Sequence, residues 1–423
     1  MARDVVRSVK GTRDFYPEEM GARIWLYEKM RQVSESFGYS EFEGPMLETY
    51  ELYIAKSSQE IVEKQSFVFE DRGGDKLTLR PELTPTLARM VAARQPQLTF
   101  PLRWWSFGPF WRYERPQKGR TREFFQWNID LLGDDSPEAD AELIAIAASF
   151  LKEVGLTSGE VRILVNNREL MDKHLATFDI APEMRGEVFN LIDRRDKMSE
   201  ESWQEYAAEL GLTPKQTGQV IDLIGNQELW RQSDSLVKMF AALEAYGISD
   251  YVSFAPQIIR GLVYYTGTVF EAWDTSGEYR AIFGGGRYDN LVGDVGGDPV
   301  GGVGFAVGDL IITLILQQYG RLPEFGKTPS AVFFTLFDQS LLQESLKLAN
   351  SLRQAGIKVT SQLTPSKLGK QFKYADRIGA KFAIVVGPDE AANNTVTIKN
   401  LATGEQTELP QGELVNNLKA LGG

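Results

Sequence analysis

Residues 102–132 read LRWWSFGPFWRYERPQKGRTREFFQWNIDLL, and the alternation within this stretch decides the fold. Two strand-like runs flank a turn at Gln117-Lys118-Gly119, the pattern of an antiparallel hairpin. Odd positions carry Trp105, Phe107, Pro109, Trp111 and Tyr113, then Phe125, Trp127, Ile129 and Leu131. Successive strand residues point to opposite sides, so these belong on the core. Even positions carry Ser106, Gly108, Arg112 and Glu114, then Arg122, Phe124, Gln126, Asn128 and Asp130. A sheet side turned to water is the ordinary reading of a polar face. Water-facing sides are commonly rich in Lys, Thr and Ser, however. Arginines, carboxylates, amides and an aromatic suit a ligand platform better. The loop from Arg112 to Arg122 holds five basic residues and one acid. A solvated turn is the default for such a cluster, yet guanidinium forks grip phosphate in a bidentate way.

Outward from the hairpin, Pro17 followed by Glu18 and Glu19 predicts a helix start, with Ile24, Tyr27, Met30 and Val33 at helical spacing. PELTPTLARMVAARQ, residues 81–95, also reads as a helix. Residues 160–255 are mostly helical in pattern and resemble an insertion. Strands resume over 257–290, and the glycine-rich run 294–316 reads as a strand followed by a helix. QQYGRLPEFGKTPS predicts a linker. Beyond it SAVFFTLF, IKVTSQL and KFAIVVG alternate with helical stretches, a βαβαβ pattern and thus a separate small α/β domain.

Composition excludes several classes of function. With no cysteine there is no disulfide, zinc thiolate or cysteine nucleophile. The lone histidine, His174, argues against His-based metal sites and Ser-His-Asp catalysis, and reads as a surface or structural residue. No metal site is expected among the protein side chains. No apolar run is long enough to span a bilayer, and the first residues lack the apolar core of a secretory signal. The sequon Asn393-Asn394-Thr395 reads as chance. The net charge of −12 argues against generic nucleic-acid binding, so any such contact needs local basic patches. There is no GxxxxGK[ST], and the glycines of 302–308 lack GxGxxG spacing.

Five strings carry a resemblance: KGTRDFYP, LRPELT, RYERPQKGRTREFFQ, RGLVYYTGTVFE and GGGRYDNL. In this order and spacing the chain resembles the histidyl-tRNA synthetases over essentially its full length. The resemblance implies an α+β fold: a class II synthetase antiparallel sheet core with a helical insertion, plus a C-terminal α/β anticodon-binding domain. Expected limits are about 1–325 for the catalytic domain, with the insertion at about 165–250, and about 326–423 for the anticodon domain. It further implies a cytoplasmic homodimer, with Pro45 in GYSEFEGPMLETYELY at a dimer-interface turn. The expected partners are L-histidine, ATP, Mg2+ and histidine tRNA, with no membrane.

By matching position, Arg112 is expected at the α-phosphate and the histidine carboxylate. Glu114 and Phe124 are expected at adenine, Arg120 at the β- and γ-phosphates, and Arg260 as the catalytic cation. Glu82 and Gln126 should take the α-amino group, with Thr84 beside them. Asp130 should accept from the imidazole, Tyr264, Tyr265 and Tyr288 should line the pocket, and Gly304 should leave room for the ring. A site that bonds both ring nitrogens discriminates by roughly 10⁴–10⁵ against apolar analogues. Arg115 and Gln117 match residues that read the acceptor end of tRNA. Lys367, Lys370, Lys373, Arg377 and Lys381 fall along one helical face. Such a stripe is ordinarily just solvated, but beside an anticodon domain phosphate contact becomes the better reading.

The chain departs from the family at four places, one of them Phe125, which stands on the apolar face where some members have His or Tyr and is expected to affect packing alone. Asp130 and Val263 stand where many members have Glu and Asp, and Gly308-Asp309-Leu310-Ile311 stands where the third class II signature usually reads Gly-Leu-Glu-Arg, without the arginine that helps hold ATP. Asp309 cannot replace a cation, though it is a candidate to orient magnesium. The last departure leaves an alternative: the histidine-binding regulatory subunit of ATP phosphoribosyltransferase, a paralogue that does not charge tRNA. That paralogue generally lacks the anticodon domain.

Overall fold

The computed structural model describes residues 5–54, 64–195, 198–259, 264–325 and 330–422. The chain divides into two compact units: Met1–Asp14 with Arg23–Leu322, and Phe15–Ala22 with Pro323–Gly423.

The first unit is built on an eight-stranded sheet. Its strands are β1 (Ser40–Glu41), β5 (Leu102–Trp111), β6 (Glu123–Leu132), β7 (Val161–Asn167), β8 (Val252–Phe254), β9 (Thr268–Asp274), β10 (Phe283–Tyr288) and β11 (Gly302–Gly308). They lie in the order β1-β5-β6-β11-β10-β9-β7-β8. The outermost pairs, β1 with β5 and β7 with β8, are parallel, and every other pair is antiparallel. A smaller antiparallel sheet joins β2 (Leu47–Thr49), β3 (Phe67–Glu70) and β4 (Lys76–Leu79) in the order β2-β4-β3.

The hairpin forms, with Trp105, Trp127, Ile129 and Leu131 buried as the alternation requires, while Phe107, Pro109 and Trp111 are only partly buried and Phe110, at an even position, is fully buried. Trp105 pairs with Ile129 and Phe107 with Trp127. Trp105, Trp127, Ile129 and Leu131 are fully buried in the main core, together with Ile144, Phe150 and Leu151 of the helix Pro137–Glu153. Tyr113 departs from the alternation and is 53% exposed, because β5 ends at Trp111. The turn closes at Gly119, whose φ of +76° favours glycine.

The helix at Pro17–Ser36 buries Leu26, Met30 and Val33 at steps of four and three, while Ile24 is exposed. The core stripe is therefore centred on Leu26 rather than Ile24. Trp127 Nε1 donates to Ser34 Oγ at 3.1 Å, pinning the hairpin to this helix.

Between β7 and β8, five α-helices run from Arg168 to Ala245 among the described residues. Residues 161–167 and 252–254, helical by pattern, are instead sheet strands whose apolar residues face the main core. This short alternation is easily lost beside five amphipathic helices.

In the second unit, β12 (Val332–Phe334), β13 (Val359–Ser361) and β14 (Phe382–Val385) pair in parallel, joined by helices Leu342–Gln354 and Leu368–Arg377. The antiparallel hairpin β15 (Thr395–Asn400) and β16 (Gln406–Pro410) extends them to the order β13-β12-β14-β15-β16. Val332, Phe334, Leu352, Ile384 and Ile398 form its core. Among the described residues, no helix is long and apolar enough to cross a membrane.

Candidate active site

The sheet register gathers the polar face of β6 over a floor with few side chains. Asp130 pairs with Gly304, which pairs with Gly286; Asn128 pairs with Ala306, which pairs with Gly284. Above this floor lies a cavity of about 130 Å³. Glu82, Thr84, Arg112, Gln126, Asp130, Tyr264, Tyr265, Tyr288 and Gly304 all line it. Every described residue expected to contact histidine is thus brought together. Arg260 and Val263 lie outside the described residues.

Asp130 is the most constrained of these groups. It is 4% exposed, and Tyr288 Oη donates to its Oδ1 at 2.6 Å. Burial raises its pKa to about 7, against an opposing contribution from the Tyr288 hydrogen bond. Burial also raises the pKa of Tyr288, so the phenol keeps the proton of this pair. A Cβ at Gly304 would stand 2.0 Å from Asp130 Oδ1. The glycine therefore makes room for the carboxylate itself, a closer reason than space for a ligand ring. Tyr264 Oη donates to Glu82 Oε2 at 3.2 Å, and its ring meets Tyr265 and Tyr288 edge-on.

Arg112 is held by its own strand surroundings. Its Nε donates to Pro81 O at 3.0 Å, and its guanidinium lies 5.3 Å from the Phe124 ring centre. Arg80, the residue before Pro81, is wholly buried: Nη1 donates to Glu43 Oε1 at 2.6 Å and Nε to Pro109 O at 3.0 Å. A Cβ at Gly108 would come within 2.3 Å of Arg80 Nη2, so the glycine lets this arginine lie across the sheet. Arg80 thereby fixes the backbone that orients Arg112.

A second cavity, about 880 Å³, shares Arg112, Gln126, Gly284 and Ala306 with the first. Glu114, Arg120 and Phe124 line it, as expected for a nucleotide site. Arg120 Nη1 and Glu114 Oε2 are paired at 2.8 Å, so a nucleotide that uses both must open this pair. Arg115 and Gln117 line neither cavity and stay exposed at the hairpin tip.

Asp309 lines the larger cavity, but both its oxygens are engaged. Oδ2 accepts from Arg13 Nη2 at 2.8 Å and Oδ1 from the Phe125 amide at 3.0 Å. The carboxylate is a clasp between the N-terminal segment and the hairpin, not an open magnesium ligand. Several cavity residues lie beyond those the resemblance singles out, Asn128 and Arg280 among them. Asn128 was visible in the alternation of β6, whereas Arg280 sits in the β9–β10 connection, where no pattern marks it. On the helix Leu368–Arg377 and its flanks, Lys367, Lys370, Lys373, Arg377 and Lys381 are all exposed. None pairs with a carboxylate among the described residues.

A buried polar pocket opening onto an arginine-lined cavity suits an amino acid beside a nucleotide, and residues 329–421 match the anticodon binding domain family. Together these define an aminoacyl-tRNA synthetase. Residues 11–309 match the histidyl-tRNA synthetase family, and the chain belongs to that family. It is 38% identical over 418 residues to a histidine–tRNA ligase of Haloarcula marismortui, covering 95% of each chain. It is 36% identical to a chloroplastic/mitochondrial histidine–tRNA ligase of Arabidopsis thaliana, covering 97% of this chain and 86% of the relative. The crystal structure of histidyl-tRNA synthetase from Nostoc sp. PCC 7120 superposes with a TM-score of 0.84 at 27% identity, covering 99% of this chain and 100% of that one. An ATP phosphoribosyltransferase regulatory subunit/histidyl-tRNA synthetase from Bacillus halodurans C superposes with a TM-score of 0.74 at 24% identity, a likeness of fold alone. It covers 88% of this chain and 97% of that one.

Proposed function

We infer that this chain is a class II histidine–tRNA ligase that activates L-histidine with ATP and transfers it to histidine tRNA. In the first step a carboxylate oxygen of histidine attacks the α-phosphorus of ATP. The bond to the bridging oxygen breaks, and pyrophosphate leaves with those electrons. In the second, a 3′-terminal ribose hydroxyl of the tRNA attacks the mixed-anhydride carbonyl and AMP departs. The single observation that carries this reading is the convergence of Glu82, Arg112, Gln126, Asp130 and Tyr288 on one cavity continuous with the larger one.

In this reading Asp130 accepts from the imidazole, and Glu82 and Gln126 take the α-amino group, with Thr84 beside them. Tyr264, Tyr265 and Tyr288 wall the pocket over Gly304. Arg112, shared by both cavities, faces the histidine carboxylate and the α-phosphate. Fixed cations aimed at developing charge can be worth on the order of 10²–10³ in rate. Arg260 is assigned the same task from its sequence match. Phe124 and Glu114 hold adenine, while Arg120, joined by Arg280, faces the outer phosphates. Magnesium arrives on the phosphates of ATP, as it does where protein supplies few ligands. Among the described residues no three acidic or histidine side chains gather to hold a metal.

The exposed lysines and Arg377 of the second unit, with Arg115 and Gln117, contact tRNA. The domain limits follow as about 1–325, including an insertion at about 165–250, and about 326–423. Exposed Met46, Leu47, Ile54, Val68 and Phe69 on and beside the small sheet support a homodimer through that surface. The cytoplasm is the compartment the reading implies. The regulatory alternative is weaker, because the anticodon-binding domain is present and Arg112 and Arg120 line the larger cavity.

ATP–pyrophosphate exchange on the full chain tests the proposal. Exchange that depends on histidine supports it; tight histidine binding without exchange would transfer the case to the regulator.

A further inference from the structure

The sheet order places β7 between β9 and β8. The chain that leaves β8 at Phe254 and enters β9 at Thr268 must therefore cross the end of β7, at Asn167. This crossing carries much of the site. Gln257 and Ile258 line the larger cavity, and Tyr264 and Tyr265 line the smaller one. Arg260 falls between them in sequence, outside the described residues.

One buried amide holds the start of the crossing. Asn166 is wholly buried, and its Nδ2 donates to Pro256 O at 2.8 Å and to Ile258 O at 3.0 Å. Its Oδ1 accepts from the Asn167 amide at 2.8 Å. Both hydrogens of the side-chain NH2 are spent on these carbonyls, which buried backbone oxygens require. A turn closed by Ile258 N to Ala255 O at 3.0 Å brings the two carbonyls to the same side chain, and the Ala255 amide adds a bond to Val165 O at 2.8 Å. At the far end the Arg168 amide donates to Gly267 O at 2.9 Å, one step beyond the last register pair, Asn167 with Thr268. Residues 165–168 therefore grip both ends of the crossing. Asn167 Oδ1 also accepts from the Leu170 amide at 3.0 Å, capping the helix Arg168–Thr177, so the anchor is itself fixed.

A cation stabilises developing charge only from a fixed place, and a displacement of about 1 Å can cost on the order of 10²-fold in rate. Asn166 lines neither cavity, so whatever it contributes to the reaction passes through the chain it holds. We propose that Asn166 is a positioning residue: by pinning the carbonyls of Pro256 and Ile258 it sets where the crossing begins, and it acts on catalysis through Arg260. The proposal rests on the ligase reading and on the role that Arg260 takes from its sequence match.

Pyrophosphate exchange on the full chain, with substitutions made singly and together, tests it. Asn166→Ala should lower kcat on the order of 10²-fold, while KM for histidine and for ATP changes less than about threefold. In an Arg260→Ala background the same substitution should cost less than about twofold, because the cation it places is gone. Asn166→Ser keeps one hydroxyl donor, should lose less, and serves where the alanine variant folds poorly. A rise in KM without a fall in kcat, no loss at all, or equal losses with and without Arg260 would each overturn the proposal and leave the ligase reading standing. A wild-type chain without histidine-dependent exchange would overturn both.

Discussion

Tyr288 donates its phenolic hydrogen to Asp130 Oδ1 at 2.6 Å between two side chains that are both almost wholly buried. The bond favours the carboxylate, while burial favours the acid and wins, holding Asp130 at about 7. Tyr288→Phe removes the favourable contribution and pushes Asp130 higher, leaving less carboxylate at neutral pH to accept from imidazole. Histidine KM should rise on the order of tenfold near pH 7 and recover partly toward about pH 9. Pyrophosphate exchange measured across this range checks it, and a loss independent of pH would contradict it.

The same raised pKa has a consequence for stability. Between the ordinary carboxylate range and about 7 the folded protein holds a proton that the unfolded chain releases. This contribution is complete below about pH 4 and declines as pH rises through about 7. Asp130→Asn should flatten that part of the stability profile in ligand-free protein, as read by thermal melts at several pH values.

Gly304→Ala places a methyl group 2.0 Å from the present position of Asp130 Oδ1. The carboxylate must move away from the ligand, at a cost of roughly 1–3 kcal/mol for overpacking. Histidine KM should rise at least about tenfold while ATP KM changes little, since only the smaller cavity is touched.

Arg120→Ala and Arg280→Ala should each raise ATP KM without raising histidine KM, because both line only the larger cavity. The Arg120–Glu114 pair is partly exposed, so its loss should cost at most about 1 kcal/mol of stability. Steady-state exchange with each substrate varied in turn separates these effects.

Arg287, by contrast, is a structural cation. Its Nη2 and Nε donate to buried Asp140 Oδ1 at 2.6 and 2.9 Å, and it also bonds the carbonyls of Asp134 and Ser136. Arg287→Ala strands a buried carboxylate and should cost on the order of 3–5 kcal/mol in chemical unfolding.

Much of this was legible in the strand alternation. Gln126, Asn128 and Asp130 share a face by spacing alone, and the core tryptophans follow from the opposite parity. The GGGRYD string could not reveal that Arg287 serves the fold while Tyr288 serves the site; that depends on Asp140, nearly 150 positions away in the chain. The Asp309 clasp was hidden for the same reason, since its partner Arg13 is distant in sequence. Residues 161–167 misread as part of a helical region because a seven-residue strand carries little periodic signal beside long helices. Ile24 misled because helical spacing alone does not say which neighbouring stripe meets the sheet.

The floor of Gly284, Gly286 and Gly304 also bears on how such a pocket can be redesigned. Bare backbone on two adjacent strands leaves the side chains of this floor to β6, while Glu82, Thr84, Arg112, Tyr264, Tyr265 and buried Tyr288 complete the lining. A library limited to Gln126, Asn128 and Asp130 would sample new amino-acid preferences while leaving the foundation of the chamber unaltered.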